Sequence, residues 1–453
     1  MVQTAIDIEG KSPLAVCLEC RENKWSQTAK LLREAYAKTA TQQSCSFSPS
    51  LLSPPDRPLH ITHDGEAPTS EPLPLRIKDI VSLSEKGSLA AGRSARNRTS
   101  PGNNADKLVR RQRIDIVNGQ HHLARFPSGK DTPTEHILQD IYKLIQLAPQ
   151  YHEMVALWIQ SDSLEIQLGD NDKPLQLMST WPSLMTRYVT KTTAAEIPKL
   201  CLRRNVFISP AKEKSVADPT MLELLYADAK RNVLKGHYPC SEEDAIELGG
   251  LTMQVLYGDH VSTVHHSGFL QGQLEEVLPV AMATSRRRVE FERRILAQHS
   301  RVSQSVSTFS DNDPQASLYK QYLQKCCQWP FYGAAFFHGS LATKTFRLPT
   351  QVKIHRKAHV PVNIAVNTSG FHLISLETNS VITSLSYDSV DWDASAEKHC
   401  VQLSRSDKTL HVQIKTRMAG LFSSLVSRMS EQYLQRSHGN TSTTTSTAHT
   451  QND

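Results

Sequence analysis

Residues 331 to 339 read Phe-Tyr-Gly-Ala-Ala-Phe-Phe-His-Gly, an aromatic stretch that separates a helical region from a region of short strands. Aromatic side chains in such a stretch are more typical of core and interface packing than of ligand binding. Gly333 lies within the stretch and is expected to permit a close backbone approach. The stretch therefore predicts a junction between packed lobes.

The sequence before this junction, residues 213–330, predicts a helical bundle. Asp218 and Ser241 precede apolar residues at helical spacing, and both residue types are common helix N-caps. Short connections between such helices favour a compact arrangement. The polar, Arg-rich stretch 285–314 breaks the pattern and is predicted to be a mobile insertion.

The sequence after the junction, residues 331–435, predicts a small antiparallel barrel. Its short apolar segments are bounded by turn residues, and residues 418–435 follow as one amphipathic helix. Strands are predicted at residues 334–338, 362–366, 371–376, 381–385, 401–403 and 410–414. Such a barrel, closed by a C-terminal helix, is the pleckstrin-like or phosphotyrosine-binding (PH/PTB-like) arrangement.

Residues 108–212 predict a third unit, which is ubiquitin-like. A strand pair is expected to turn at Asn118-Gly119, a helix follows, and apolar residues then alternate from Val155 to Ile159. Hairpin, helix and further strands in this order describe a ubiquitin-like lobe followed by a linker. The predicted fold class is therefore α+β, with three lobes.

Both ends of the chain have a different composition. Residues 1–107 include a long segment rich in Ser, Pro, Thr and Gly, and residues 436–453 form a Ser/Thr/Asn tract. Such segments bury too little apolar area to offset the entropy of ordering them. They are predicted to be disordered tails.

Composition and motifs exclude several classes of protein. The formal charge of +6 is modest for 453 residues, so a nucleic-acid binder is not expected. The longest apolar stretches fall well short of the roughly 20 residues that a membrane span requires. Phosphate-binding, dinucleotide, zinc-protease and serine-hydrolase motifs are absent from the sequence, and the cysteines lack zinc-ribbon spacing. We predict a cytoplasmic protein that is not an enzyme and has no catalytic residues, metal or cofactor.

The order of the three units resembles the three lobes of a FERM domain. The similarity runs from near Val109 to near Gln435, and the long N-terminal extension and the 285–314 stretch depart from the family pattern. The stretches that carry it include Ala156-Leu157-Trp158-Ile159, Arg203-Arg204-Asn205-Val206-Phe207, Tyr238-Pro239-Cys240 and the junction at 331–339.

This resemblance implies a scaffold or adaptor that binds the cytoplasmic tails of membrane proteins. It implies inactive rhomboid proteins as partners and, through them, a cell-surface metalloprotease sheddase; for relatives it also implies a link to Wnt co-receptor signalling. In this kind of third lobe, a peptide adds to a strand edge beside the C-terminal helix. Phe422 and Leu425 could instead simply seal the barrel. The candidate groove residues are Val381, Thr383, Leu385, Tyr387, Met418, Phe422 and Leu425.

Two alternative functions remain open. A linker at the inner face of the plasma membrane would bind acidic phospholipids through a basic cluster, for which Lys353, Arg356 and Lys357 are the candidates. Two further clusters, at residues 110–113 and 286–288, offer the same chemistry. A small-GTPase effector would use the ubiquitin-like lobe, but the sequence indicates no specific residue for it. The oligomeric state is not indicated.

Overall fold

A computed structural model describes residues 110–190, 196–306, 313–342, 359–406 and 410–443. The predicted disordered segment 1–107 lies outside these ranges. The three predicted lobes are all present, and the α+β fold class is confirmed. The lobe boundaries given above stay predictions.

The first lobe is built on a five-stranded mixed sheet in the order β2-β1-β5-β3-β4. Its strands are β1 (Arg110–Ile116), β2 (His121–Phe126), β3 (Val155–Gln160), β4 (Glu165–Gln167) and β5 (Lys199–Arg204). Its helices are α1 (Thr134–Leu144), α2 (Pro174–Ser179) and α3 (Trp181–Tyr188), with 3-10 turns at Gly129–Asp131 and Pro149–Met154. The hairpin turns as predicted, with Gly119 at φ +94°.

Strand β5 was not predicted, because its sequence does not alternate. Every residue from Leu200 to Arg204 is buried. The strand pairs in parallel with β1 and antiparallel with β3, so it lies in the middle of the sheet. Its two arginines are buried, and both form ion pairs with the helical lobe. These contacts join residues in different structural elements, so no local pattern reveals them.

The second lobe is helical. It comprises α4 (Pro210–Glu213), α5 (Pro219–Leu234), α6 (Glu242–Tyr257), α7 (Val280–Ala283), α8 (Arg288–Val306) and α9 (Pro314–Cys326), with a 3-10 turn at Leu274–Glu276. Both predicted caps form: Asp218 accepts from the Met221 N–H at 2.8 Å, and Ser241 from the Asp244 N–H at 3.0 Å.

The prediction of a mobile insertion at 285–314 is wrong for residues 288–306. These residues form α8, whose Phe291 and Ile295 are buried in an apolar cluster with α6. A Cβ added to Gly250 of α6 would lie 2.5 Å from the Gln298 side chain, so the two helices are in close contact. The apolar positions are spaced for one helix face, but the surrounding arginines hide that pattern.

The third lobe is a seven-stranded antiparallel sheet in the order β10-β11-β12-β6-β7-β8-β9. The strands are β6 (Ala335–Ala342), β7 (His359–Asn367), β8 (Gly370–Ser375), β9 (Ser380–Ser386), β10 (Val390–Ser395), β11 (Cys400–Arg405) and β12 (His411–Lys415). A 3-10 turn at Tyr387–Ser389 joins β9 to β10. The C-terminal helix is α10 (Ala419–Thr443), so the predicted tail is helical for residues 436–443.

Candidate peptide groove and lobe junction

The junction of the three lobes is organised around Arg204, at the end of β5. Its guanidinium is buried, and its Nε donates to Glu213 of α4 at 2.6 Å. It also donates to the carbonyls of Ile208 at 2.6 Å and Gly333 at 3.1 Å. One side chain of the first lobe therefore contacts both α4 of the second lobe and the start of the third lobe.

The aromatic stretch at 331–339 completes this site. Tyr332 packs against the Arg204 guanidinium and donates its hydroxyl hydrogen to Glu213 at 2.7 Å. Gly333 has φ +69° and donates its N–H to the Tyr238 hydroxyl at 2.8 Å. A Cβ on Gly333 would lie 2.3 Å from Arg204 Nη1, so only glycine fits here. The close approach predicted for this glycine is confirmed.

The neighbouring Arg203 side chain forms a second ionic network, between the first two lobes. It contacts Asp228 of α5 at 2.8 Å and Glu165 of β4 at 2.6 Å. Glu165 also pairs with Arg231 and with Lys235, the latter at 3.2 Å. Burial would raise the pKa of Glu165, but Arg203 and Arg231 more than offset this and hold it well below its ordinary value.

These two networks hold the lobes in position. Every arginine, lysine and carboxylate in them has a partner of opposite charge. Within the described ranges, no group of His, Cys, Asp and Glu side chains is placed to hold a metal ion. No helix of that part of the chain is long and apolar enough to cross a bilayer.

The residues predicted to line a peptide groove do not come together on one surface. Leu385, Met418 and Phe422 are buried in the barrel core. Leu425 and Tyr387 pack on a cluster that contains Trp158 and Phe207 of the first lobe. Val381 and Thr383 lie on β9, where Val381 is exposed.

The strand beside α10 is β10, which sequence reasoning missed. Trp392 packs edge-on against Phe422 of α10, with ring centroids 6.1 Å apart. A Cβ on Gly420 would lie 3.5 Å from the Cβ of Ala396, just after β10. The alternation of Val390, Trp392 and Ala394 with two aspartates was a usable signal for this strand.

Strand β10 has a free edge in the described part of the chain, since it pairs only with β11. The Ser406 N–H donates to the Ser389 carbonyl, and hydrogen-bonded pairs alternate in an antiparallel ladder. The backbone N–H and C=O groups of Asp391 and Asp393 therefore bond to β11. The backbone N–H and C=O groups of Trp392 and Ala394 point to the open edge.

The flank of α10 nearest to this edge carries small residues. At 100° per residue, Gly420, Ser423 and Ser427 lie 140–160° around α10 from Leu425, on the opposite side of the helix, and Arg428 is a neighbour of Leu425. Arg428 stacks over Phe207, which places that other side against the first lobe. We call the β10 edge and this flank the β10 groove.

The β10 edge is acidic on the face of the sheet that points away from α10, because Asp391 and Asp393 alternate with Trp392, which faces the helix. Asp391 and Asp393 are exposed, and neither has an ion-pair partner within the described ranges. The candidate lipid-binding residues Lys353, Arg356 and Lys357 lie outside those ranges. In the cluster at 286–288, Arg287 is already paired with Glu242 and Glu290.

Comparisons with known proteins agree with this architecture. Residues 211–337 match the family model of the FERM central domain, and residues 360–425 match that of the KRIT1/FRMD8 FERM domain C-lobe. The fold is similar to that of the human myosin 7b C-terminal MyTH4-FERM domain, solved in complex with harmonin-a PDZ3, with a TM-score of 0.52, 18% identity and coverage of 72% of this chain and 60% of that one. The chain therefore contains a FERM domain, with its central lobe at residues 211–337 and its C-lobe at residues 360–425.

The chain is also similar to individual proteins that carry a FERM domain. The chain is 31% identical over 282 residues to FERM domain-containing protein 8 of Xenopus tropicalis, which covers 58% of this chain and 61% of the relative. Its identity to the protein of that name in Homo sapiens is 32% over 271 residues, or 56% and 57% of the two chains. FERM domain-containing protein B of Dictyostelium discoideum is 26% identical over 225 residues, or 49% and 44%. The matches span about three fifths or less of these relatives.

Proposed function

We propose that the chain is a non-enzymatic adaptor that binds a cytoplasmic segment of a membrane protein in the β10 groove. The free backbone edge of β10, next to the small-residue flank of α10, carries this proposal. An extended peptide gains affinity there from main-chain hydrogen bonds and selectivity from side-chain contacts.

The charge along the β10 edge defines the chemical class of the partner. Asp391 and Asp393 lie along the edge strand without counter-charges in the described ranges. Opposite charges on neighbouring strands stabilise pairing, so the bound segment should carry Lys or Arg at alternate positions. Its apolar residues would lie near Trp392 and the Ser423 flank.

The family resemblance supplies a specific partner within this class. It implies the cytoplasmic region of an inactive rhomboid protein, with a metalloprotease sheddase held in the same complex at the cell surface. For relatives it also implies an effect on Wnt co-receptor signalling. With these partners, the chain would act at the inner face of the plasma membrane.

The test is co-precipitation of the full chain with an inactive rhomboid expressed in the same cells. Ala394→Pro removes an N–H that points to the open edge and leaves the β11 ladder intact. It should lower recovery about tenfold, because one lost hydrogen bond is worth roughly 1 kcal/mol and the proline ring obstructs the edge. Asp393→Lys should lower recovery as well, through charge.

The matched control is Leu123→Pro, which makes the same change at the free edge of β2. It should leave rhomboid recovery unchanged. Equal recovery with Ala394→Pro and with wild type, at an unchanged unfolding temperature, would show that the β10 groove is not the binding site.

A further inference from the structure

The sheet of the first lobe has its own free edge, at β2. In the described part of the chain, β2 pairs only with β1. The Ile116 N–H donates to the Gln120 carbonyl, so the alternating ladder continues through the pairs Ile114–His122 and Gln112–Ala124. The backbone groups of His121, Leu123 and Arg125 therefore point away from β1, toward solvent.

The side chains of the same residues form an exposed face. Leu123 is 59% exposed, which is high for a large apolar residue on a strand. It lies opposite Arg113, and Arg125 lies opposite Arg111. By the same alternation, these are non-hydrogen-bonded pairs, in which opposing side chains approach most closely.

The charges on this face are not balanced internally. Arg113 pairs with Asp115 at 2.6 Å. Arg111 and Arg125 face each other directly, and neither has a carboxylate within ion-pair distance among the described residues. Like charges directly opposite across two strands destabilise a sheet, so this pair favours an external anion.

We propose that the β2 edge binds an acidic, extended segment of another protein as an additional strand of the sheet. The backbone groups of Leu123 and Arg125 would supply the main-chain hydrogen bonds. On the exposed face of the incoming strand, a carboxylate would lie beside Arg125, where it also offsets the charge of Arg111 across β2, and an apolar residue two positions away would cover Leu123. This site is independent of the β10 groove, whose charge is opposite.

The probe is the seven-residue peptide Thr-Glu-Thr-Val-Thr-Glu-Thr, acetylated and amidated at its ends, which carries both Glu residues and the Val on the same face of a strand. Binding to the full chain is followed by amide chemical shifts, and shifts are expected for His121, Leu123 and Arg125. A peptide with Lys in place of Glu is the charge control. Arg125→Glu should weaken binding of the acidic peptide by about tenfold.

Two further variants separate strand addition from general charge attraction. Leu123→Pro removes an outward N–H without changing net charge and should weaken binding as strongly as Arg125→Glu. Lys415→Glu makes the same charge change on β12, which is paired on both sides, and should have no effect. Both variants are first checked for an unchanged unfolding temperature.

Several results would overturn the proposal. One is binding that survives Leu123→Pro but is lost with Arg125→Glu, since this would indicate charge attraction alone. Another is no binding of the peptide together with binding of phosphatidylserine vesicles, which would assign the arginines to a membrane surface. A third is self-association of the chain that Arg125→Glu abolishes. This would mean that the β2 edge binds the acidic β10 edge of a second copy and not a different protein.

Discussion

Arginines at the lobe junction and at the β2 edge have opposite environments. Arg203 and Arg204 are buried, and each contacts at least one carboxylate. Arg111 and Arg125 are exposed and face each other without one in the described ranges. A charge satisfied within the fold holds lobes together, whereas a charge left unsatisfied is available for a partner. The two regions should therefore respond differently to mutation.

The largest effect is expected at Arg204. Arg204→Met leaves Glu213 buried without its cation, and breaking a buried pair in this way costs about 3–5 kcal/mol. Urea denaturation should show a correspondingly lower free energy of unfolding. The double variant with Glu213→Leu should recover part of the loss. A single variant as stable as wild type would contradict the role given to this junction.

Gly333→Ala should have the next largest effect. The strained φ alone costs about 1 kcal/mol, and the added Cβ also clashes with Arg204. Gly236→Ala is the matched control, because Gly236 has φ +73° and open space around its Cβ position. The difference in unfolding free energy between the two variants measures the Arg204 contact. Equal losses would mean that this contact is relieved by small movements.

The Arg203 network should produce a pH dependence of stability. The folded-state pKa of Glu165 lies below its ordinary value of 4.5, so its ion pairs contribute fully above that pH. Their contribution is lost as the pH falls toward the folded-state pKa. Glu165→Gln should flatten this acid branch of the stability curve, measured by thermal unfolding at successive pH values. If wild type and Glu165→Gln lose stability equally as the pH falls, other carboxylates cause the acid branch.

The smallest change in stability is expected at the β2 edge. Arg125→Glu replaces a like-charge pair with an opposite-charge pair facing Arg111, so the fold should be stabilised by about 0.2–1 kcal/mol. The same variant should lose the acidic peptide. Differential scanning calorimetry measures the gain in stability, and the peptide titration measures the loss of binding. A loss of stability would mean that Arg125 stabilises the fold, as Arg203 and Arg204 do.

Much of the architecture could be predicted from local patterns. The Asn118-Gly119 turn, the caps at Asp218 and Ser241 and the order of the three lobes depend on residues close together in sequence. The contact between Arg204 and Gly333 joins positions 129 residues apart, and no periodicity encodes it.

The candidate groove was only partly predictable for a related reason. The family resemblance indicated a strand edge beside the C-terminal helix, but it could not say which strand lies there. Leu385 and Phe422 fit an apolar groove by residue type, yet both are core residues. Strand β10 was overlooked because two of its residues are aspartates, which are uncommon in strands.

The bonding of Arg204 also bears on how the chain is synthesised and divided. During translation, Arg204 and Glu213 leave the ribosome well before Tyr332 and Gly333, so their set of hydrogen bonds is incomplete until the third lobe begins to emerge. A fragment that ends before residue 331 would keep a guanidinium lacking one acceptor and a carboxylate lacking one donor. The lobes should consequently be expressed, truncated and exchanged between relatives as one block, not as separable modules.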